Sequence, residues 1–500
     1  WVTRQCPARV FLGGNYLQIK NFVLSLRRKP LTRKNMKRKF IFLAVLATIF
    51  LCACSNQEDF LVRGEVNVDQ QVGLQTDDVT ASDIGMVVSE FFGGQRTRGV
   101  DYDTSVITDA SGNAAIYVVN YKDNQGFLLI SATKRYCPVL AYADKGNFDV
   151  SGIGGSGLVD WHAETLSAIE LAKQLPDDSI QKFRSMWQRY EQPQTSKALK
   201  ARKRSSSDPD VIRAQTILQD SVSAWIAKGY TIFDITEENP YAEEVKGAIY
   251  PLYEEEWERL SIGGNKKIIK NEIVPNLLCT EWCQSEAGFN QSFPKLDNGK
   301  LAAVGCGPLA AGQIMYYHKY PQRFNWADMP IEEGTKTTSD FLLEIAQKSK
   351  AEYRIDYEKK PVTTTIISNV CSVLNDFGYT EAYVGEYDMG KVLADLRNSR
   401  PVYMRAGAGM LVGHAWVVSG AQLLNEYDYS EIYTFKTKQN FEPLVRYGVQ
   451  NYSYSYLYMN WGYFEGKNNG YYISNEMVTD KGVKLNAQNR ENIYNIYPTK

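Results

Sequence analysis

Histidine is scarce in this chain. Three occur in 500 residues, His162, His318 and His414, so any chemistry that needs an imidazole base must choose among three positions. No Asp or Glu precedes Glu58, while eleven Lys or Arg lie between Arg4 and Lys39. Removing those eleven leaves 45 basic against 57 acidic residues, a net charge of −12 on the remainder. An acidic body suits a phosphate backbone badly, and no nucleic-acid partner is expected. Eight cysteines are too few for a disulfide scaffold of this length. No His-Glu-x-x-His, no Walker A segment and no dinucleotide fingerprint in its strand–turn–helix setting appears, so neither a metal nor a cofactor is expected. What remains is ordinary globular stock, 44% apolar, 23% charged and 12% aromatic. The length predicts more than one domain.

Met36 is followed by Lys37-Arg38-Lys39 and then by the apolar run Phe40 to Leu51. A basic segment ahead of a short apolar one reads as a secretory signal, and the run is too short for a span of about 20 residues. It ends in Leu51-Cys52-Ala53-Cys54, which resembles a bacterial lipobox with Cys54 lipidated; Cys52 is the poorer alternative, and cleavage by an ordinary signal peptidase is the plainer one. Ser55 to Asp59 resembles the acidic surface-export signals of Bacteroidetes lipoproteins. The chain is therefore expected to be exported, to the cell surface on a lipid anchor or into the medium. Residues 1–35 are expected to be upstream sequence read through from a mis-set start, 36–54 a lipoprotein signal and 55–77 a tether.

Ile84, Val87, Val88 and Phe91 recur at helical spacing. Ala114–Asn120 and Phe127–Ser131 read as strands about the turn signal Asp123–Gly126, and Pro138–Tyr142 as a third. A helical stretch runs from Leu158 to about Leu175. This order predicts a small α+β domain over 78–190. Residues 191–210 are basic and Ser-rich, either a plain linker or a proteolytic processing site; 191–270 as a whole reads as linker or insertion. No repeat is visible.

The chemistry is expected in 271–500. Pro308 suits a helix's first turn, and Ala310, Ile314 and Tyr317 share a helix face. Cys306 therefore opens a buried-type helix, where the helix end favours a thiolate. It needs a base from elsewhere. His318 lies twelve residues on, roughly 18 Å along one continuous helix, and His162 belongs to the upstream domain. His414, opening the strand-like run His414–Ser419 behind a Gly-rich loop, is left as the partner.

The stretch Cys306-Gly-Pro-Leu-Ala-Ala-Gly-Gln-Ile-Met-Tyr-Tyr-His-Lys-Tyr-Pro321 resembles the nucleophile helix of the streptopain family of papain-like cysteine proteases, family C10. Gly413-His-Ala-Trp-Val-Val418 is similar to its histidine strand. Leu277-Leu278, Thr280, Trp282, Gln284 and Phe289-Asn-Gln291 resemble its oxyanion segment, and Asn460-Trp461-Gly462 its Asn-Trp-Gly motif. Gly126–Ser131 and Pro138–Tyr142 resemble parts of its inhibitory prodomain. The resemblance implies an α+β, papain-like catalytic domain, with a helical part and an antiparallel sheet part, behind that prodomain. It implies a cysteine endopeptidase zymogen acting on protein or peptide substrates, with the prodomain as intramolecular partner. Cys306 would be the nucleophile and His414 the base. Gln284 would donate to the oxyanion, Asn460 would orient His414, and Trp461 would shield that contact. Cys283 and Ser419 depart from the family pattern, which motivates one rival, a surface-binding protein without turnover; a papain-fold acyl transferase is another. Cys279 and Cys283 read as a redox pair or as free thiols.

Overall fold

The computed structural model describes residues 77–91, 101–153, 157–187, 190, scattered positions between 216 and 234, 261–407, 413–434, 444–474, 477–485 and 490–499. The signal segment 36–54 with Cys52 and Cys54, nearly all of the tether 55–77, and the basic stretch around Arg204 lie outside the described residues. The described residues all fall within one compact unit.

Helix α1 (Ala81–Phe91) starts on a reciprocal cap. The Asp83 carboxylate accepts from the Thr80 N–H at 2.8 Å, and the Thr80 hydroxyl accepts from the Asp83 N–H at 3.2 Å. Strands β1 (Tyr102–Thr108), β2 (Ala114–Tyr121), β3 (Phe127–Ser131) and β4 (Val139–Ala143) follow as an antiparallel meander. Every residue of β3 and β4 is buried, because both faces of these short apolar runs are covered. Helix α2 (Gly157–Gln174) buries Leu158, Trp161, Thr165, Ala168, Ile169 and Ala172, a stripe at three- and four-residue spacing. Helix α3 (Gln181–Trp187) completes this part. Arg135 ties it together: its guanidinium bonds to Asp77 and Asp177, each at 2.7 Å, and donates to the carbonyls of Ala172 and Leu175 at the end of α2.

Beyond the linker come β5 (Thr231–Asp234), β6 (Ser261–Val274), α4 (Cys306–His318), α5 (Lys336–Lys348), β7 (Glu352–Ile355), β8 (Pro361–Thr364), α6 (Ile367–Asp376), β9 (Tyr383–Glu386), α7 (Met389–Arg397), β10 (Val402–Ala406), β11 (His414–Thr434), β12 (Leu444–Asn460), β13 (Gly470–Ile473) and β14 (Arg490–Tyr494). The α+β class expected from the sequence is the one found.

The main antiparallel sheet runs β1-β2-β3-β4-β13-β12-β11-β10-β14-β9, with β6 and then β5 joined to the far half of β11, while β7 and β8 pair apart from it. The join between the early and late parts of the chain is β4 to β13, with Tyr142 opposite Tyr471 and Ala141 opposite Tyr472. Pairing there covers two edges that would otherwise present bare N–H and C=O groups. The expected start of the catalytic part at 271 falls inside β6. That strand is Gly- and Lys-rich and shows no apolar alternation, so it reads as linker; it is a strand because it pairs with β11.

The sheet separates two cores. On β11, Trp416 and Val418 enter the core built around α2, while Ala415 and Val417 enter the core built around α4, α5 and α6. This two-residue alternation decides what His414 meets.

Candidate active site

Cys306 is the first residue of α4. Gly305 before it has φ 90°, a left-handed conformation that favours glycine. A β-carbon at Gly305 would also lie 2.8 Å from a Thr363 methyl, so the turn that delivers Cys306 has no room for a side chain. The helix is continuous to His318. Burial raises the Cys306 thiol above its ordinary range, against the backbone N–H groups of Ala415, Gly307 and Cys306 and the charge of Arg405, which favour the thiolate.

The Ala415 N–H beside the sulfur belongs to the residue after His414, so the start of β11 lies next to the helix end. Cys306 and His414 line one cavity of about 30 Å³ with Gly307, Thr363–Thr365, Tyr403, Arg405, Gly413 and Ala415. The His414 ring, however, follows the parity of Trp416 and turns to the α2 side. Its Nδ1 lies 3.0 Å from Asp160 Oδ2, in the first turn of α2. One turn further along α2, Glu164 pairs with Arg490 at 2.8 Å, and the Arg490 side chain is 1% exposed. Arg490 faces Ala406, which faces His414. Two carboxylates one helical turn apart thus meet two basic side chains in one row across the sheet.

The remaining expected site residues are placed less uniformly. The Gln284 carbonyl accepts from the Val304 N–H at 2.8 Å, which holds Gln284 beside the irregular segment leading to Cys306. Asn460 is 3% exposed and does not reach His414 in this form. Its amide donates to the Thr280 carbonyl at 2.8 Å and accepts from the Gly462 N–H at 3.2 Å. It therefore anchors the segment that carries Gln284, while the His414 ring is bonded to Asp160 instead. Trp461 is a core aromatic on the α2 side, with ring centroids 5.1 Å from Trp416 and 5.0 Å from Tyr472. The Ser419 hydroxyl bonds to Asn276 at 2.5 Å, well within the scaffold. Cys279 and Cys283 are both free; Cys283 is buried, and burial pushes its thiol up to about 11. Among the described residues no group of His, Cys, Asp and Glu is arranged to hold a metal, and no helix is long and apolar enough to cross a membrane.

His318 and His162 serve structure. Burial lowers His318 to about 4, although its Nε2 meets the Ile496 carbonyl at 2.9 Å. Burial lowers His162 to about 4 as well. Both are neutral when folded, whereas an unfolded histidine binds a proton below about 6.5. The stability they contribute is full above about 6.5 and is lost as pH falls toward 4. The melting temperature should fall across that window, and His318→Gln should flatten the fall; a melting curve parallel to the parent's would rule the assignment out.

Asp160, Arg405 and Tyr403 are the site residues that the sequence does not reveal. An acid in a helix's first turn reads as an ordinary dipole partner, and strand residues of this kind read as core.

Residues 84–169 match the family described as Spi protease inhibitor, and residues 322–472 match the Peptidase C10 family. The second match includes His414, Asn460 and Trp461 and begins after Cys306. No curated protein matches the chain. Among solved structures, a mutant prointerpain A fragment from Prevotella intermedia is 15% identical with a TM-score of 0.43, covering 80% of this chain and 100% of that one. Active interpain A cysteine protease from the same organism is 19% identical with a TM-score of 0.32, covering 45% of this chain and 95% of that one.

Proposed function

We infer, from the premise that this chain is a cysteine-type peptidase of the C10 family carrying an inhibitory prodomain, that Cys306 and His414 form its dyad and that α2 holds them apart before processing. The observation that carries this reading is the shared cavity in which the sulfur of α4 meets the opening of β11 while the ring of His414 is bonded to Asp160.

Once α2 is withdrawn, His414 loses its carboxylate and rotates over the helix end. It takes the thiol proton, and the ion pair is favoured by the N-terminal N–H groups of α4. The thiolate attacks the scissile carbonyl of a peptide. The Cys306 N–H and the Gln284 side-chain amide donate to the oxyanion, worth about 3 kcal/mol per donor. The imidazolium then protonates the leaving amine, and water completes the hydrolysis. Residues 78–190 are the part removed, by a cut within 191–270. The segment 36–54 directs export, with Cys54 carrying the lipid that anchors the zymogen at the cell surface.

A thiol-directed epoxide inhibitor tests the reading. The uncut full-length chain should label slowly at Cys306, and the Asp160→Asn chain should label at least about tenfold faster, because residue 160 then no longer offers His414 a carboxylate. Equal rates in the two chains, or labelling at Cys279 in place of Cys306, would sink it. Palmitate incorporation lost in Cys54→Ala but kept in Cys52→Ala tests the anchor.

A further inference from the structure

We propose that Arg405 is the standing counter-charge of the Cys306 sulfur, a positioning residue that favours the thiolate while His414 is engaged by Asp160. The proposal rests on Cys306 being the nucleophile.

The register of β10 places Arg405 opposite Ala415, whose side chain lies in the α4 core. Arg405 and Tyr403, two residues apart on β10, therefore face α4, and both line the cavity that holds Cys306 and His414. Arg405 is 8% exposed. Its guanidinium reaches the chain immediately ahead of His414, since a β-carbon at Gly413 would lie 3.1 Å from Arg405 Nη2. Its Nη1 is 3.2 Å from Glu491 Oε2, and the Glu491 side chain is 49% exposed. Water screens that outer carboxylate, whereas the thiol lies where charges are felt more strongly.

Among the described residues, the charged and titratable groups around the sulfur are Arg405 and Tyr403 on β10, His414 on β11 with Asp160 of α2 behind it, and Glu491 on β14 behind Arg405. Thr363–Thr365 add none. With the His414 ring drawn to Asp160, the positive charge facing the sulfur in the uncut chain is that of Arg405. A planar guanidinium is charged at every working pH, so its support of the thiolate does not wait for processing.

The test is the pH profile of Cys306 alkylation by iodoacetamide in the uncut full-length chain, followed by the mass of the peptide containing Cys306. Arg405→Gln should raise the midpoint and slow alkylation at neutral pH about tenfold, the equivalent of one pH unit. Arg405→Lys should keep most of the parent rate. Glu491→Gln should lower the midpoint, because it removes the opposing charge. A disturbance of packing would not move the two changes in opposite directions. An unchanged midpoint in a folded Arg405→Gln chain overturns the proposal, as does a raised midpoint in Glu491→Gln. Should Arg405→Gln not fold, Arg405→Lys and Glu491→Gln decide by the same signs. Peptide turnover by processed Cys306→Ser addresses the nucleophile separately: retained turnover removes that reading, while the alkylation midpoints still report on Arg405.

Discussion

Replacing His414 by alanine is expected to lower kcat/KM of the processed enzyme by about three orders of magnitude. A positioned base and acid contributes roughly 10²–10⁴ in rate, and here one imidazole supplies both steps. It also supplies the cation that keeps a thiolate at neutral pH. The other two histidines cannot substitute. His318 is at the opposite end of α4, bonded to the Ile496 carbonyl, and His162 is a half-buried side chain of α2. Hydrolysis of a fluorogenic peptide, with the active enzyme titrated by a thiol inhibitor, gives the number. A variant within tenfold of the parent would show that His414 is not the base. The same substitution removes the group that Asp160 holds, so the uncut His414→Ala chain and the uncut parent should both be silent toward the peptide, for different reasons.

The second large effect is expected at a residue without a side chain. Gly157 opens α2, and a β-carbon there would lie 2.0 Å from Trp416 Cε3 and 2.4 Å from Cζ3. The ring cannot yield easily. It is 1% exposed, its Nε1 is 3.0 Å from the Met459 sulfur, and Trp461 packs against it. Gly157→Ala should therefore lift the first turn of α2 off the sheet, at a cost of about 1–3 kcal/mol for overpacking. Asp160 sits in that turn, so its bond to His414 should loosen with it. The expected result is a lower melting temperature for the uncut chain together with faster epoxide labelling at Cys306. Gly85, inside α1 with nothing within 4 Å of its β-carbon position, provides the contrast: Gly85→Ala should be neutral or stabilise by up to about 1 kcal/mol. If Gly157→Ala melts and labels like the parent, the contact between α2 and Trp416 does not hold the latch.

The parts of the fold legible in the sequence are those whose pattern is local. The turn Asp123–Gly126 between two apolar runs became β2 and β3, Pro308 and its periodic followers became α4, and the run from His414 opened β11. The strand β6 was not legible, since Gly263-Gly264-Asn265-Lys266-Lys267 carries no apolar alternation and is ordered by its neighbour. At the site, Cys306 and His414 stand out by scarcity and by their place at element ends. Asp160 and Arg405 do not, because an acid in a helix's first turn and an arginine in a strand each have an ordinary structural explanation.

Local chemistry alone therefore singles out Cys306 and His414 as the candidate pair, because a helix start and a strand start are written in a few adjacent residues. Only the assembled sheet decides which way the imidazole points. Successive side chains of a strand face opposite cores, and His414 falls on the side that α2 covers. The pairings that tie α2 to the sheet span more than 250 positions, Asp160 with His414 and Glu164 with Arg490. Distances of that kind are set by packing, and no short-range pattern encodes them.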